Sequence, residues 1–555
     1  RSELCRRAAE ARWLAGDERG AVALGRAALD EPDVRSQPTR SAFIQERLAT
    51  YLWGSGDSEG GLRAAQGAVA SLPASPPTAD LARALCGEGR MLLMRGDNER
   101  ARAVCEHALS IARAAGDQAQ EGQALNYLAG ATAFLGGHDE AIAYLEQAVR
   151  IAHETTVGAR GCPEYENLSE VLAESRRTKD GLEIALEGVR VARELGVEHS
   201  YGVVLLGRAA LCSLLLGRLH EADQHCAQAL ELGAASFFGA NALEAGARCA
   251  IMHGDFEAAD RHLQLARGMT SRMRDLMWAG PIAGVSSELE LWLGRPERAV
   301  AIVNATLAIA PERECPQHSS ELHANGTRAH ADLAQAARAT GQGDLLEQSA
   351  RAAEVLERRL ADLLARSLPL GHPGATTEVH AALCTAEVAR ATGSSPIDAW
   401  QDALETCEVI GHRSRGAYAG WRLAEALLEG GQRDRAEAVL VEAVGVAAEI
   451  GFEPLGTELH ALARRGRIKL GEGESGRSPA NRGALLGLTH RELEVLALLA
   501  EGRTNRQIAG QLYITEKTTE HHVSRILGKL DVRTRGEAGA VAHRLGLNTA
   551  ANAQW

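Results

Sequence analysis

Aromatic residues are scarce in this chain of 555 residues. Phe, Trp and Tyr make up 4% of it, although hydrophobic residues as a whole make up 45%. Sheet-based folds draw on aromatic and β-branched side chains, whereas the Ala, Leu, Arg and Glu that recur here are good helix formers. The chain is also too long for one compact domain. We therefore expect an all-α protein made of several domains or of one elongated repeat array.

Several motifs are missing as well. The ten cysteines form no CxxC pair and no Cys/His spacing that suits zinc, so we expect core thiols, no disulfide framework and a reducing, cytoplasmic setting. There is no run of about 18 apolar residues and no signal-peptide core, which argues against a membrane partner. A GxxxxGK[ST] phosphate loop is absent too. We predict no catalytic residue, no cofactor site and no metal site.

Lysine is rare, and positive charge is unevenly distributed. Of the four lysines, Lys517 and Lys529 fall in one short segment near the C-terminus. The net charge of −13 taken alone argues against a nucleic-acid partner. However, residues 483–555 hold nine Lys/Arg against seven Asp/Glu, which gives +2 and leaves −15 for the rest of the chain. An acidic body with a mildly basic tail keeps nucleic acid open as a partner. The dominance of Arg over Lys also suggests a GC-rich bacterial genome.

An internal repeat occupies most of the chain. Its mark is a Gly followed five positions later by a small residue, and the first four such glycines lie 40 positions apart. The position seven residues before each Gly is also small, and the position twelve residues after it is Ala in all copies but one. The eight glycines are Gly16, Gly56, Gly96, Gly136, Gly217, Gly254, Gly294 and Gly431. Small residues thus recur at three fixed positions relative to the Gly, which we call the three small-residue registers. Their agreement over eight copies exceeds what an Ala-rich composition produces.

This pattern predicts a helical hairpin. The Gly ends the first helix in a left-handed cap, and the small residues let the two helices approach closely. The pattern resembles the tetratricopeptide repeat, lengthened to about 40 residues. We expect such repeats over residues 1–310 and a degenerate continuation over 311–470, with degenerate copies near Arg177, Gly341 and Gly393. Stacked hairpins form a superhelix, whose concave surface suits an effector or protein partner, although a purely architectural role stays open.

A linker separates the array from the tail. Residues 471–483, GEGESGRSPANRG, contain no apolar residue larger than Ala or Pro and cannot pack a core. Four short helical segments follow within residues 484–548. Three begin with capping boxes, Thr489 with Glu492, Thr504 with Gln507 and Thr534 with Glu537, and Thr515 can cap the fourth.

The second and third tail segments have the pattern of a helix-turn-helix. The second runs from about Asn505 to Leu512, and a short turn separates it from the third, at about Glu516 to Leu530. The third is expected to bury Val523, Ile526, Leu527 and Leu530. Its outward residues would be Lys517, Glu520, His521, Ser524, Arg525 and Lys529. Adjacent His521 and His522 diverge by about 100° on a helix and have no third ligand nearby, so they indicate no metal site.

The tail from Leu488 to Arg535 resembles the LuxR-type DNA-binding domain nearly end to end. The residues that carry the resemblance are Leu488, Thr489, Arg491, Glu492, Glu494, Val495, Leu496, Leu498, Ala500, Gly502, Asn505, Ile508, Ala509, Leu512, Ile514, Lys517, Thr518, His522, Val523, Ile526, Leu527, Lys529, Leu530, Val532 and Arg535.

The resemblance implies a set of DNA-binding residues. In that family the third helix enters the major groove, so Glu520, His521 and Ser524 would face bases. Phosphates would be approached by Lys517, Thr518, Arg525 and Lys529, and by Arg503 and Asn505 at the start of the second helix. Two residues depart from the family pattern. Glu520 stands where Lys is frequent, which leaves the base preference open, and Thr519 replaces Val.

The repeats add a further resemblance, to the large ATP-binding regulators of the LuxR family. Residues 51–69 and 182–196 carry it. Those regulators begin with an ATPase module, whereas this sequence lacks the phosphate loop and begins with Arg1 inside a repeat. The resemblance implies that the chain is the C-terminal part of a longer regulator and, as given, not an enzyme.

These features predict a transcriptional regulator. Its repeat array would receive a signal from an effector or protein partner and control the tail, which would bind double-stranded DNA as a homodimer. The alternative is a helical-repeat scaffold for protein partners whose tail is inactive on DNA because of Glu520. An enzyme has little support, since scattered Glu and His fit solvated helix faces.

Overall fold

A computed structural model describes the chain over residues 1–14, 17–154, 162–233, 239–270, 275–309, 314–394, 396–470, 490–500, 503–511 and 516–529, and at 532, 534, 535 and 538. It divides into two compact units, Arg1–Ile468 and Lys469–Trp555. Every regular element within the described residues is helical, which confirms the all-α prediction. The predicted linker at 471–483 lies outside the described residues.

The first unit contains helices α1 to α24. A π-helical turn, Glu198–Gly202, precedes α12. The helices are, in order, Ser2–Leu14, Glu18–Asp30, Pro32–Arg35, Pro38–Gly54, Ser58–Ala70, Ala79–Met94, Asn98–Ala115, Gln118–Phe134, His138–Glu154, Cys162–Glu174, Thr178–Glu194, Val203–Leu215, Leu219–Gly233, Ala240–Met252, Phe256–Thr270, Leu276–Trp292, Pro296–Leu307, Pro316–Thr340, Gly343–Ser367, Ala375–Thr392, Pro396–Ile410, Arg413–Glu429, Arg433–Glu449 and Glu453–Arg465.

These helices pack as consecutive antiparallel hairpins. The first hairpin joins α1 and α2, and from α4 onward each even-numbered helix pairs with the next, up to α22 with α23. All members of the three small-residue registers that the structure describes are buried, for example Ala129, Ala141 and Ala148 in one hairpin. Small side chains at these positions bring the two helix axes close together. The predicted tetratricopeptide-like hairpin is confirmed.

A residue in the left-handed conformation follows the first helix of the described hairpins, and in most of them it is a glycine. Seven of the eight predicted glycines are described, and their φ angles lie between 70° and 92°. Gly16 lies outside the described residues. Arg176 occupies the next 40-residue position after Gly136 and adopts φ 64° without being a glycine. The degenerate copy predicted near Arg177 is therefore a complete hairpin, α10 with α11.

The array curves until distant hairpins touch. The Leu370 amide donates to the Leu135 carbonyl at 3.0 Å, and Arg176 pairs with Glu378 at 2.6 Å. The rings of Phe134 and His318 lie 5.1 Å apart. We call the first helices of the hairpins the inner helices, because these return contacts arise from α8, α10, α18 and α20 and the segments beside them. The inner helices therefore surround a concave interior, as the predicted superhelix requires.

The cysteines agree with the expectation of core thiols. All ten cysteines are free thiols and nine of them are buried, so they serve as core residues. Among the described helices, none is both long and apolar enough to cross a membrane.

The second unit contains three described helices. They are α25 His490–Ala500, α26 Asn505–Gln511 and α27 Glu516–Lys529. Their bounds agree with the three predicted segments within one or two residues. The fourth predicted segment, which begins near Thr534, lies almost entirely outside the described residues.

Candidate nucleic-acid interface

A small apolar core holds the three tail helices together. Val495 and Leu496 of α25, Ile508 of α26 and Ile526 of α27 are completely buried. Val523 and Leu527 pack against this core but are only partly buried, and the predicted core residue Leu530 lies outside the described residues. The apolar residues of α25 and α26 thereby fix which side of α27 faces inward.

The start of α26 is closed by the predicted capping box. The Gln507 amide donates to the Thr504 hydroxyl at 3.3 Å, and the Thr504 amide donates to the Gln507 side-chain oxygen at 2.9 Å. These two bonds satisfy N–H groups that a helix start leaves without an intrahelical partner. The capping predictions at Thr489, Thr515 and Thr534 each involve residues outside the described set.

The side of α27 that faces away from the apolar core carries predicted DNA-binding positions. Lys517, Glu520 and Arg525 are exposed, whereas Thr519 and Ile526 are completely buried. At about 100° per residue, positions 517, 521 and 524 share one stripe roughly 180° from Ile526. Thr518, His521 and Ser524 belong to this helix, but their side chains lie outside the described set. Of the predicted residues on α27, Lys517, Glu520 and Arg525 thus have exposed positions.

The beginning of α26 brings two further predicted residues to the domain surface. Arg503 is exposed and Asn505 is half-buried. The Arg535 guanidinium donates to the Arg503 carbonyl, which ties the chain before α26 to the segment that follows α27. The Arg503 amide in turn donates to the Leu498 carbonyl at 3.1 Å. The backbone that presents Arg503 is therefore held from both sides.

Lys529 has a role that the sequence-based prediction missed. Its ammonium lies 2.6 Å from a carboxylate oxygen of Glu492, whose side chain is only 2% exposed, while the lysine itself is 36% exposed. The pair joins the last turn of α27 to the first turn of α25. A carboxylate that buried requires a partner. Lys529 therefore holds the domain together, in addition to any contact that it makes with phosphate.

This pair was difficult to predict from sequence. The two residues stand 37 positions apart, and the local sequence pattern assigns Glu492 only to a capping box with Thr489. One signal was available in the sequence. Lys529 is one of four lysines in the chain, and it lies at the end of the third tail segment, α27.

Taken together, two helices joined by a short connection, with a capped first helix and a basic outward face on the second, define a helix-turn-helix domain. The family model of the bacterial regulatory proteins of the LuxR family matches residues 486–542. These residues therefore form a LuxR-family DNA-binding domain.

Characterised relatives support the assignment of the tail. The transcriptional regulatory protein LiaR of Bacillus subtilis is 54% identical over 57 residues, which cover 10% of this chain and 27% of LiaR. The DNA-binding transcriptional activator DevR/DosR of Mycobacterium tuberculosis is 46% identical over 61 residues, which cover 11% of this chain and 28% of that protein. The chain thus covers less than a third of the length of each relative.

The array has its own similarities. A tetratricopeptide-repeat model matches residues 80–154, which confirms the predicted repeat type. A crystal structure of a Rap protein complexed with competence and sporulation factor aligns with 65% of this chain and 99% of that chain, at 13% identity and a TM-score of 0.43.

Proposed function

We propose that this chain is a sequence-specific transcriptional regulator. In this proposal the tail binds double-stranded DNA through α27, and the helical array receives an effector or protein partner and thereby controls the tail. The observation that carries the proposal is the LuxR-family domain, with Lys517 and Arg525 exposed on the side of α27 opposite its core.

The electrostatics of α27 support different tasks for different residues. Lys517 and Arg525 lie eight positions apart, or about 12 Å along the helix, a spacing that lets them approach phosphates on both sides of a groove. Between them, Glu520, His521 and Ser524 would face base edges, where a carboxylate accepts from the amino group of cytosine. Arg503, Asn505, Thr518 and Lys529 would add phosphate contacts at the borders of this face.

The array supports the sensing role through its return contacts. Because hairpins about 200 positions apart are bonded to each other, as Arg176 and Glu378 are, a ligand in the interior contacts both halves of the array at once. Such a ligand can change the curvature of the whole repeat unit. Control of dimerisation or of access to the tail would follow from this change.

The second candidate function is a scaffold whose tail does not bind DNA. The observation that favours it is Glu520, an exposed carboxylate on the face that would approach a polyanion. The overall charge of −13 adds to the repulsion.

Selection of DNA fragments separates the two functions. The intact chain and a chain that ends at residue 470 would each be used to select duplexes from a random pool. We expect the intact chain to enrich a short shared motif and the truncated chain to enrich none. An intact chain that enriches no motif at any salt concentration would favour the scaffold.

A further inference from the structure

An open cavity lies on the concave side of the array. It has a volume of about 1010 Å³ including its mouth, and its walls come from the successive inner helices α10 to α18 and α20 to α22. Two ion pairs cross between these two groups of helices: Arg415 contacts Glu288 at 2.9 Å and Glu321 at 2.8 Å. A ligand in this cavity would therefore touch both halves of the array.

The guanidinium groups of the cavity are already paired. Arg415 binds both carboxylate oxygens of Glu288, and Arg248 binds both oxygens of Glu321 at 2.7 and 2.8 Å. Arg208 pairs with Glu170 at 3.1 Å, although its buried Nε atom has no hydrogen-bond partner among the described residues. Each of these three arginines thus already has a carboxylate partner.

Hydrogen-bond acceptors, by contrast, remain available. Glu244 is 9% exposed, and only its Oε1 atom is bonded to Arg248, so Oε2 has no partner among the described residues. Glu174 adds a second carboxylate, which accepts from the Thr376 amide at 3.1 Å. Burial raises the pKa of both Glu174 and Glu244.

A buried histidine adds an independent observation. His380 is only 5% exposed and lines the cavity, with its Nδ1 atom 3.0 Å from the Ser320 hydroxyl oxygen. Its Nε2 atom has no hydrogen-bond partner in the part of the chain that the structure describes. Burial lowers the pKa of His380 to about 3, so the ring is neutral. In the tautomer whose Nδ1 donates to Ser320, Nε2 is a further acceptor on a residue that lines the cavity.

Much of the remaining wall is apolar. Leu211, Leu215, Ile251 and Met252 line the cavity, as do the rings of Trp292 and Phe452, whose centroids lie 5.2 Å apart. An apolar body fits against such a wall.

We propose that this cavity binds a small organic cation, an amine or guanidine on an apolar body, and that this ligand is the effector of the array. The cationic group pairs with the Oε2 atom of Glu244, Glu174 adds a second carboxylate to the same cavity wall, and the apolar body packs on the aliphatic and aromatic wall. The identity of the ligand as effector rests on the proposed regulatory function, whereas the class of ligand rests on the cavity alone.

Three probes of similar shape and different charge test the class of ligand. Calorimetric titration of the full chain would compare phenethylamine, 2-phenylethanol and phenylacetate. We expect phenethylamine to saturate one site with a Kd of about 1 mM or tighter, and the alcohol and the anion to bind at least about tenfold more weakly. Equal or tighter binding of the alcohol or the anion, or no saturation by the amine, would overturn the proposal.

Two variants locate the site. Glu244→Gln removes the charge and should weaken phenethylamine binding about tenfold, and Leu211→Trp fills the cavity without a charge change and should abolish binding. Glu347→Gln is the matched control, because Glu347 is an exposed residue of α19 outside the cavity, and it should leave binding unchanged. Amine binding that persists unchanged in both cavity variants would also overturn the proposal.

The same samples separate this inference from the proposed function. Phenethylamine that saturates the cavity and changes the affinity of the full chain for DNA supports both. Saturation of the cavity with no change in DNA affinity supports the cavity assignment and contradicts the effector role of the array.

Discussion

At the residue scale, Glu520 decides between a specific regulator and an inactive tail. It is an exposed acidic residue on the outward side of α27, between Lys517 and Arg525. A carboxylate in this position repels phosphates, but it can discriminate in favour of one base pair by accepting a hydrogen bond from cytosine.

Replacement of Glu520 by Gln is expected to increase affinity for every duplex, because one negative charge near the phosphates is removed. Discrimination at one base pair should fall by about 1–3 kcal/mol. Binding titrations on a selected duplex and on single-base variants of it measure both effects. Unchanged discrimination at every base pair would show that Glu520 contacts no base, and Glu347→Gln in the array controls for a general charge effect.

Lys529 is expected to combine stability with DNA binding. Lys529→Ala removes the cation that lies beside the buried Glu492 carboxylate, which should destabilise the tail by about 1–3 kcal/mol. Since the lysine is 36% exposed, water compensates for part of the loss. Hydrogen exchange of amides in residues 492–500 of the full chain measures the change. Lys517→Ala should leave this exchange unaltered, and replacement of both partners, Lys529→Met with Glu492→Leu, should restore protection. Unchanged exchange in Lys529→Ala would show that the pair does not stabilise the domain.

At the element scale, the hairpins depend on the backbone conformation at the end of each first helix. Gly431 has φ 74°, and a Cβ atom there would meet nothing within 4 Å, so only the left-handed backbone penalises another residue. Gly445 lies within α23 of the same hairpin, and a Cβ atom there would also meet nothing within 4 Å.

Substitution of these two glycines is expected to change the stability of the hairpin in opposite directions. Gly431→Ala should destabilise its hairpin by about 1–2 kcal/mol, because an L side chain in the left-handed region is strained. Gly445→Ala should stabilise it by about 0.5–1 kcal/mol, because Ala has the higher helix propensity. Hydrogen exchange within residues 413–449 reports both changes. If both substitutions changed the stability of the hairpin in the same direction, the role assigned to the left-handed glycine would be contradicted.

How far the elements could be predicted depends on the range of the interactions. The hairpins were predictable because a left-handed cap and a close helix contact each restrict the residue at a fixed position. Arg176 was not predictable in that role, since a non-glycine residue leaves no such mark. In the tail, the Thr504 capping box is local and was predicted, whereas the pair of Lys529 with Glu492 joins different helices and was missed.

At the scale of the whole molecule, the curvature of the array arises from contacts that no local pattern encodes. The Gln317 side chain donates to the Phe134 carbonyl at 3.3 Å, and His318 packs its ring edge-on against Phe134. Residues of α8 and α18 meet here although about 180 positions separate them, so sequence periodicity predicts the superhelix but not which hairpins touch.

The contact of His318 makes the array sensitive to acid. Burial lowers the pKa of His318 to about 4, and its Nε2 atom has no hydrogen-bond partner within the described residues. The unfolded chain takes up this proton near pH 6.5, so the neutral ring contributes stability above that pH, and the contribution falls as the pH decreases towards 4.

His318→Leu is expected to remove this dependence. Relative to the natural chain, the variant should gain stability as the pH falls from about 6.5 to about 4, by at most about 1.4 kcal/mol per pH unit. Urea unfolding of both proteins at pH 7 and pH 5, followed by circular dichroism, measures the difference. His107→Leu, at an exposed position of α7, is a control that should show no such gain. If His318→Leu changed the free energy of unfolding by the same amount at both pH values, the assigned titration of His318 would be contradicted.

The central claim, that the outward side of α27 binds DNA, is tested most directly by the salt dependence of binding. The 555-residue chain and its Lys517→Ala variant would be titrated with a selected duplex and a scrambled duplex at several salt concentrations. The matched control is Lys179→Ala, which replaces an exposed lysine of α11. Each phosphate contact releases condensed counterions, so Lys517→Ala should weaken binding to both duplexes alike and reduce the slope of log K against log salt by roughly 1. Lys179→Ala should change neither quantity. An unchanged affinity and slope for Lys517→Ala on both duplexes would contradict the assigned DNA-binding face.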